Sequence, residues 1–288
     1  MTPGLPRIDR LARFSLTTAN IARTAAFYEA AFGCRLIGTD RLSGRDFDCS
    51  MNLTGGADRI TLSLGGEIIE LLQFASPGES YPHASSSSDL VFQHFAIVVA
   101  DMPQAFQRLS TVAGWTPISS GGPQRLPASS GGVIAFKFRD PEGHPLELLA
   151  FPDGAHPNWP IPPHGETCLG IDHSAISVSD SAASIAFYES FGLAVSARSF
   201  NRGSEQENLD DVPGAQVDVT ALAPRQPTPH LELLCYRSAH RHPTPVRKGN
   251  DIASTRLIFE LCKTSNAADS HIAVRSVRDP DGHVFFIV

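Results

Sequence analysis

The chain repeats itself, and the repeat limits what it can fold into more than any other feature. RDPEGHPLELL at 139–149 returns as RDPDGHVFFIV at 278–288. Each copy reads as a tight turn feeding an apolar strand. Proline fixes φ, the aspartate side chain bonds the turn backbone, and glycine supplies positive φ. A second repeat is longer. LARFSLTTANIARTAAFYEAAFG (11–33), FQHFAIVVADMPQAFQRLSTVAG (92–114) and IDHSAISVSDSAASIAFYESFG (171–192) each read as a strand, a capped helix and a terminating glycine. Asn20, Asp101 and Asp180 are the expected caps, and Gly33, Gly114 and Gly192 the stops. Arg13, His94 and His173 each stand seven residues before their cap, so the three share one structural position. A degraded fourth copy begins near 254–263 with Arg256 at that position, its helix reduced to a fragment around 265–270.

The repeat sets the organisation as four strand–helix–strands modules, at about 7–75, 90–152, 168–236 and 250–288, the last truncated. They group as an N-terminal pair (1–152) and a C-terminal pair (167–288). The linkers are Ser-rich (75–89), Pro-rich (152–166) and basic with prolines (237–251). Two long polar stretches, 116–132 and 198–214, read as loops that could cover a binding site.

Composition removes other classes. With 23 basic against 30 acidic residues and no basic block, the chain lacks the electrostatics of a nucleic-acid binder. No apolar run approaches the roughly 20 residues of a membrane helix. Five scattered cysteines without a Cys-x-x-Cys pair argue against a disulfide scaffold or a cysteine zinc site, and a cytoplasmic location is expected.

A repeated βαβββ unit with DHxxxxVxD on its first strand, FYE on its helix and DPEGHxxEL at its last strand resembles the vicinal oxygen chelate superfamily. That superfamily contains glyoxalase I, extradiol dioxygenases, fosfomycin-modifying enzymes and bleomycin-binding proteins. The resemblance covers nearly the whole chain. It implies an α+β fold in which four βαβββ modules pair into two curved, partly open mixed β-sheets, barrel-like, with helices outside. It also implies metal ligands on the first and last strands of each module. Glu147 and Glu232 lie in apolar runs, PLELLAF and HLELLCY, where a carboxylate needs a partner. Histidine on the facing strand plus a divalent cation (Fe, Mn, Zn, Ni or Co) would satisfy it.

Two pairings of modules are open. Pairing one with two and three with four leaves no cavity with two histidines, and the fallback ligand set is Glu70, His94 and Glu147. Pairing two with three and one with four assembles His94, Glu147, His173 and Glu232 in one cavity. It leaves Arg13, Glu70, Arg256 and Phe286 in the other. We favour the second because it yields one complete site. Glu147 or Glu232 is then the expected general base. Asn201, Arg202, Gln206 and Tyr236 are candidate substrate contacts, and His230 is a candidate extra ligand. His144 and His283 read as turn residues, and Phe27-Tyr28-Glu29 and Phe187-Tyr188-Glu189 as helix packing. The expected function is a metal-dependent enzyme acting on a small organic substrate through two neighbouring oxygens on the metal, in glyoxalase-like lyase or isomerase chemistry. The alternatives are a non-haem Fe(II) dioxygenase of extradiol type and a metal-free binding or resistance protein. The expected partner is a small-molecule substrate, with no nucleic acid, no membrane, and a homodimer left open.

Overall fold

A computed structural model describes residues 7–152, 158–160, 165–237, 246–262 and 275–288. The first module contributes β1 (Ile8–Thr17), α1 (Ile21–Phe32), β2 (Arg35–Leu42), α2 (Arg45–Met51), β3 (Ala57–Leu64) and β4 (Glu67–Phe74). The second contributes β5 (Gln93–Val99), α3 (Met102–Ser110), β6 (Thr116–Pro117), β7 (Gln124–Arg125), β8 (Ile134–Arg139) and β9 (Pro145–Ala150). The third contributes β10 (Cys168–Ser177), α4 (Ser181–Ser190), β11 (Ala194–Arg202), α5 (Ser204–Asp210), β12 (Gln216–Ala223) and β13 (His230–Tyr236). The fourth contributes β14 (Arg256–Leu261), β15 (Arg275–Arg278) and β16 (Val284–Ile287). The helical fragment expected around 265–270 lies outside the described residues. No described helix is long and apolar enough to cross a membrane.

The caps form as their chemistry requires. Asn20 accepts from the Arg23 amide, Asp101 from that of Gln104, and Asp180 from those of Ala182 and Ala183. Gly33 ends α1 at φ 75°, in the left-handed region that favours glycine.

Two mixed sheets result. One runs β15-β16-β14-β1-β4-β3-β2 and the other β11-β12-β13-β10-β5-β9-β8-β6. Modules one and four therefore share an outer sheet, and modules two and three an inner one. Ser15, Ala96, Ala175 and Ile258, each two residues after the key position, face Glu70, Glu147, Glu232 and Phe286 on the neighbouring parallel strand. Across the central antiparallel seams Ala175 faces His94 and Ser15 faces Arg256. The four modules are in one register.

The bulky faces of β1 and β5 meet between the sheets, with Phe14 and Phe95 ring centroids 5.2 Å apart. The Arg-Asp-Pro turns lock the modules end to end. Asp140 accepts from the His144 and Glu142 amides and from Tyr28 Oη of the first module (3.3 Å). Glu142 accepts from the Ala19 and Asn20 amides. Asp279 accepts from Tyr188 Oη (3.1 Å), and Asp281 from the Ser179 amide, in the same way. The Phe-Tyr-Glu and Asp-Pro-acid-Gly-His motifs are thus two halves of one clamp. His144 and His283 sit in the turns, as read from the sequence.

The two sheets also meet where β4 begins. A Cβ on Gly170 would stand 2.5 Å from Glu67 Oε2 and 2.6 Å from Trp159 Nε1, so only glycine fits. Glu67 Oε2 accepts from the Ile171 amide at 3.1 Å. Burial pushes this carboxyl up to about 7, against the pull of backbone hydrogen bonds. Between its unfolded value of 4.5 and about 7 the folded chain holds a proton that the unfolded chain has lost. Stability therefore falls as pH rises through that window and is level above it, by at most about 3 kcal/mol. Glu67→Gln keeps an acceptor for Ile171 and abolishes the titration. Urea unfolding of both proteins from pH 4.5 to 8 should show the wild-type deficit relative to Glu67→Gln growing until about pH 7. A difference independent of pH would refute the assignment.

Candidate functional site

The inner sheet curves around a cavity of about 180 Å³. His94 comes from β5, Glu147 from β9, and His173 and Glu232 from β10 and β13, and all four line it. His94, Glu147 and His173 each offer one atom within 4.8 Å of the others. Glu232 stands beside His173, with Oε2 3.6 Å from Nε2, and its other oxygen is 3.5 Å from His230 Nε2. Asp172, His173 and His230 form a second such group.

The donor set fits a divalent cation. His94 Nε2 is 2.8 Å from Glu147 Oε2, yet neither ring nitrogen of this buried residue has an aligned hydrogen-bond partner among the described residues. Two ligand atoms of a single ion bound at about 2.1 Å stand roughly 3 Å apart, without pointing at each other. His173 Nδ1 lies 2.8 Å from Asp172 Oδ2, leaving Nε2 as the nitrogen nearest Glu232. A carboxylate behind the far nitrogen is the usual support for a metal-binding imidazole. The cavity wall carries Glu147, Asp172 and Glu232, with Asp210 behind it, against Lys137, which Asp210 pairs at 2.6 Å, and the His173 imidazole between Asp172 and Glu232. Such an excess of buried negative charge calls for a cation.

Protonation follows the same electrostatics. Burial pushes the His94 imidazole down against the pull of Glu147. Burial also opposes charge on His173, but Glu232 and Asp172 outweigh it and raise the group to about 9. Glu232 is pulled down to about 2 by His173 and His230, despite its burial. Glu147 is lowered too, by His94, against its own burial.

The structure corrects several sequence-based expectations. Segment 198–214 is not a loop: β11 runs on to Arg202, and α5 follows Gly203, whose φ is 95°. Asn201 therefore sits on a strand and Gln206 on a helix, and both line the cavity. Arg202 lies at the surface over the Phe200 ring. Tyr236 is buried behind the wall, donating to Asp210 Oδ2 at 2.9 Å. Glu70, the fallback ligand, belongs to the other sheet, because modules one and four pair there. Its Oε1 accepts from Arg13 (3.3 Å) and Arg59 (3.0 Å). Arg256 is buried nearby and donates to Thr17 Oγ1 and the Gly249 carbonyl. Burial lowers its guanidinium to about 10, opposed by Glu70.

Three residues at the site escaped sequence reasoning. Lys137 sits on β8 directly opposite Glu147. The signal was a lysine between two phenylalanines, on the strand that hairpins into PLELLAF. Asp210 is held by Lys137, Gln206 and Tyr236. Asp172 adjoins His173 and should face away from it. A register shift between Ile171 and His173 turns both toward the cavity.

Comparison with known proteins agrees with this architecture. The family described as Glyoxalase/Bleomycin resistance protein/Dioxygenase superfamily matches residues 7–148 and 170–287. Glyoxalase I from Zea mays has a similar fold, with 17% identity and a TM-score of 0.59 over 97% of this chain and 92% of that one. A putative dioxygenase from Bacillus subtilis subsp. subtilis str. 168 has 13% identity and a TM-score of 0.55, over 98% and 85%. No curated protein matches. With both segments of the family matched across most of its length, the chain belongs to the Glyoxalase/Bleomycin resistance protein/Dioxygenase superfamily.

Proposed function

We propose that this chain is a metal-dependent enzyme acting on a small organic substrate with glyoxalase-like isomerase or lyase chemistry. The observation that carries the reading is the His94–Glu147–His173 group, in which a buried imidazole has no aligned hydrogen bond among the described residues. His94, Glu147, His173 and Glu232 would hold the ion. Bound there, it would supply a Lewis acid for two neighbouring substrate oxygens.

The chain's own residues do the rest. Glu232 is the general base, moving a proton between adjacent substrate carbons, with Glu147 as the other candidate. Glu232 is the more exposed of the two carboxylates, 22% against 8%, and has His173 and His230 on either side to stabilise its charge. Gln206 Oε1 is buried without a hydrogen-bond partner among the described residues and accepts from a substrate hydroxyl. Asn201 Oδ1 is taken by Ser130 Oγ at 2.8 Å, so its amide NH₂ is what it offers the substrate. The cavity's volume limits the reacting part of the substrate to a small fragment.

A second reading, a non-haem Fe(II) dioxygenase, is favoured by one observation. The tight group contains two histidines and one carboxylate, with Glu232 beside it rather than within it.

Elemental analysis of protein purified without chelator tests the common claim. One divalent ion per chain is expected, and His94→Ala and His173→Ala should each lose that same ion. Metal content near zero, with no uptake of added Fe, Mn, Ni, Zn or Co, would sink both readings. Two assays then separate them. Solvent deuterium entering the product of a methylglyoxal–thiol adduct supports the isomerase. Oxygen uptake with catechol on the Fe(II)-loaded protein supports the dioxygenase.

A further inference from the structure

The outer sheet has a cavity of its own, of about 920 Å³. Arg13, Glu70, Arg256 and Phe286 hold there the register positions that His173, Glu232, His94 and Glu147 hold in the inner sheet. Two imidazoles and two carboxylates are exchanged for two guanidiniums, one carboxylate and a phenyl ring. That set repels a divalent cation.

The charged side chains on the cavity's wall are Arg13 and Arg59 against Glu70 and Asp46, with Asp46 exposed and screened by solvent, while Arg256 is buried beside the cavity. Arg59 is spent on Asp40 and Glu70, and Arg256 on Gly249, Thr17 and Ser15. Arg13 is not spent. Its one hydrogen bond among the described residues is the 3.3 Å contact from Nη1 to Glu70, and its Nε is buried with no partner. Its side chain is 31% exposed and lines the cavity. Leu42, Phe47, Leu72 and Ile258 supply apolar wall around it. A guanidinium fork with free donors at the foot of an apolar wall suits a carboxylate that carries a hydrocarbon body.

We propose that the outer cavity is a second ligand site, independent of metal, for an organic monocarboxylate, with the carboxylate on Arg13 and the apolar tail against Phe47, Leu72 and Ile258. Sodium octanoate is the probe and octanamide its uncharged counterpart, titrated calorimetrically into the full chain. Octanoate should bind one site per chain, and octanamide at least about tenfold more weakly. Arg13→Gln should weaken octanoate by a similar factor and leave octanamide unchanged. The His94→Ala/His173→Ala double variant should bind octanoate as the wild type does. Cys49 lines this cavity and is solvent-exposed, so octanoate should slow its alkylation by iodoacetamide in the unmodified protein. This last measurement stands even if Arg13→Gln does not fold. Octanoate binding that survives Arg13→Gln but is lost in the double histidine variant would place the carboxylate in the inner cavity and overturn the proposal. No binding at millimolar octanoate, or no protection of Cys49, would overturn it as well.

Discussion

Asp210→Asn will destabilise the protein by about 3–5 kcal/mol, lowering its thermal midpoint by on the order of 10 °C. Asp210 is buried and accepts from Lys137 Nζ (2.6 Å), Gln206 Nε2 (2.7 Å) and Tyr236 Oη (2.9 Å). Asparagine keeps one acceptor oxygen but removes the charge. Burial disfavours the Lys137 ammonium, but Asp210 and Glu147 together hold its pKa above the ordinary lysine value. Without Asp210 that ammonium is a buried cation with one carboxylate fewer, which is the costly case for a broken buried pair. Lys137→Met in the Asp210→Asn background should return much of the loss, because it removes the stranded charge. Denaturant unfolding of the two single variants and the double variant gives the coupling directly. Additive losses would mean that Lys137 and Asp210 do not depend on each other.

Asp140→Ala should cost a comparable amount, and more than Asp279→Ala, although both remove the same motif residue. Asp140 Oδ2 lies 2.8 Å from His144 Nδ1, and both groups are buried. Burial opposes charge on each, but their mutual attraction prevails, so Asp140 is lowered and His144 raised. In the other turn His283 is lowered, chiefly by burial, and its Nδ1 has no hydrogen-bond partner among the described residues. Asp140→Ala breaks a charged pair and also strands Tyr28 Oη. Asp279→Ala strands Tyr188 Oη and two turn amides, worth roughly 1–3 kcal/mol. The extra loss in Asp140→Ala should be largest below pH 6.5 and shrink as pH rises through the raised value of folded His144. Equal losses at every pH would contradict the charged pair.

Much of the architecture was legible because the repeat carries its own ruler. A strand in which His94 or His173 stands seven residues before the helix cap has a fixed length from that residue to its end. The equivalent residues must then fall at equivalent places in the sheet. That ruler brought His94, Glu147, His173 and Glu232 to one cavity and Arg13 and Glu70 to another. It could not show Asp172, because a local register shift breaks the two-residue alternation on which the reasoning rests. Nor could it show Lys137 with Asp210. They are 73 residues apart in sequence and meet only because α5 folds back over β8, in a polar stretch whose composition reads as loop. Alternation along β13 puts Tyr236 on the same face as Glu232, but that residue does not line the cavity. Asp210 captures its hydroxyl before it reaches open space.

The two sheets close like nested brackets, and this gives assembly a direction. The inner seam joins residues such as His94 and Ser174, 80 positions apart, whereas the outer seam joins Arg10 to Glu260 across 250. Chain-closure entropy alone makes the wider bracket roughly 1 kcal/mol harder to form. Every strand of the inner sheet has been synthesised once Tyr236 is added, while the outer sheet must wait for β16. A growing polypeptide can therefore complete the histidine-bearing cavity before the arginine-bearing one exists.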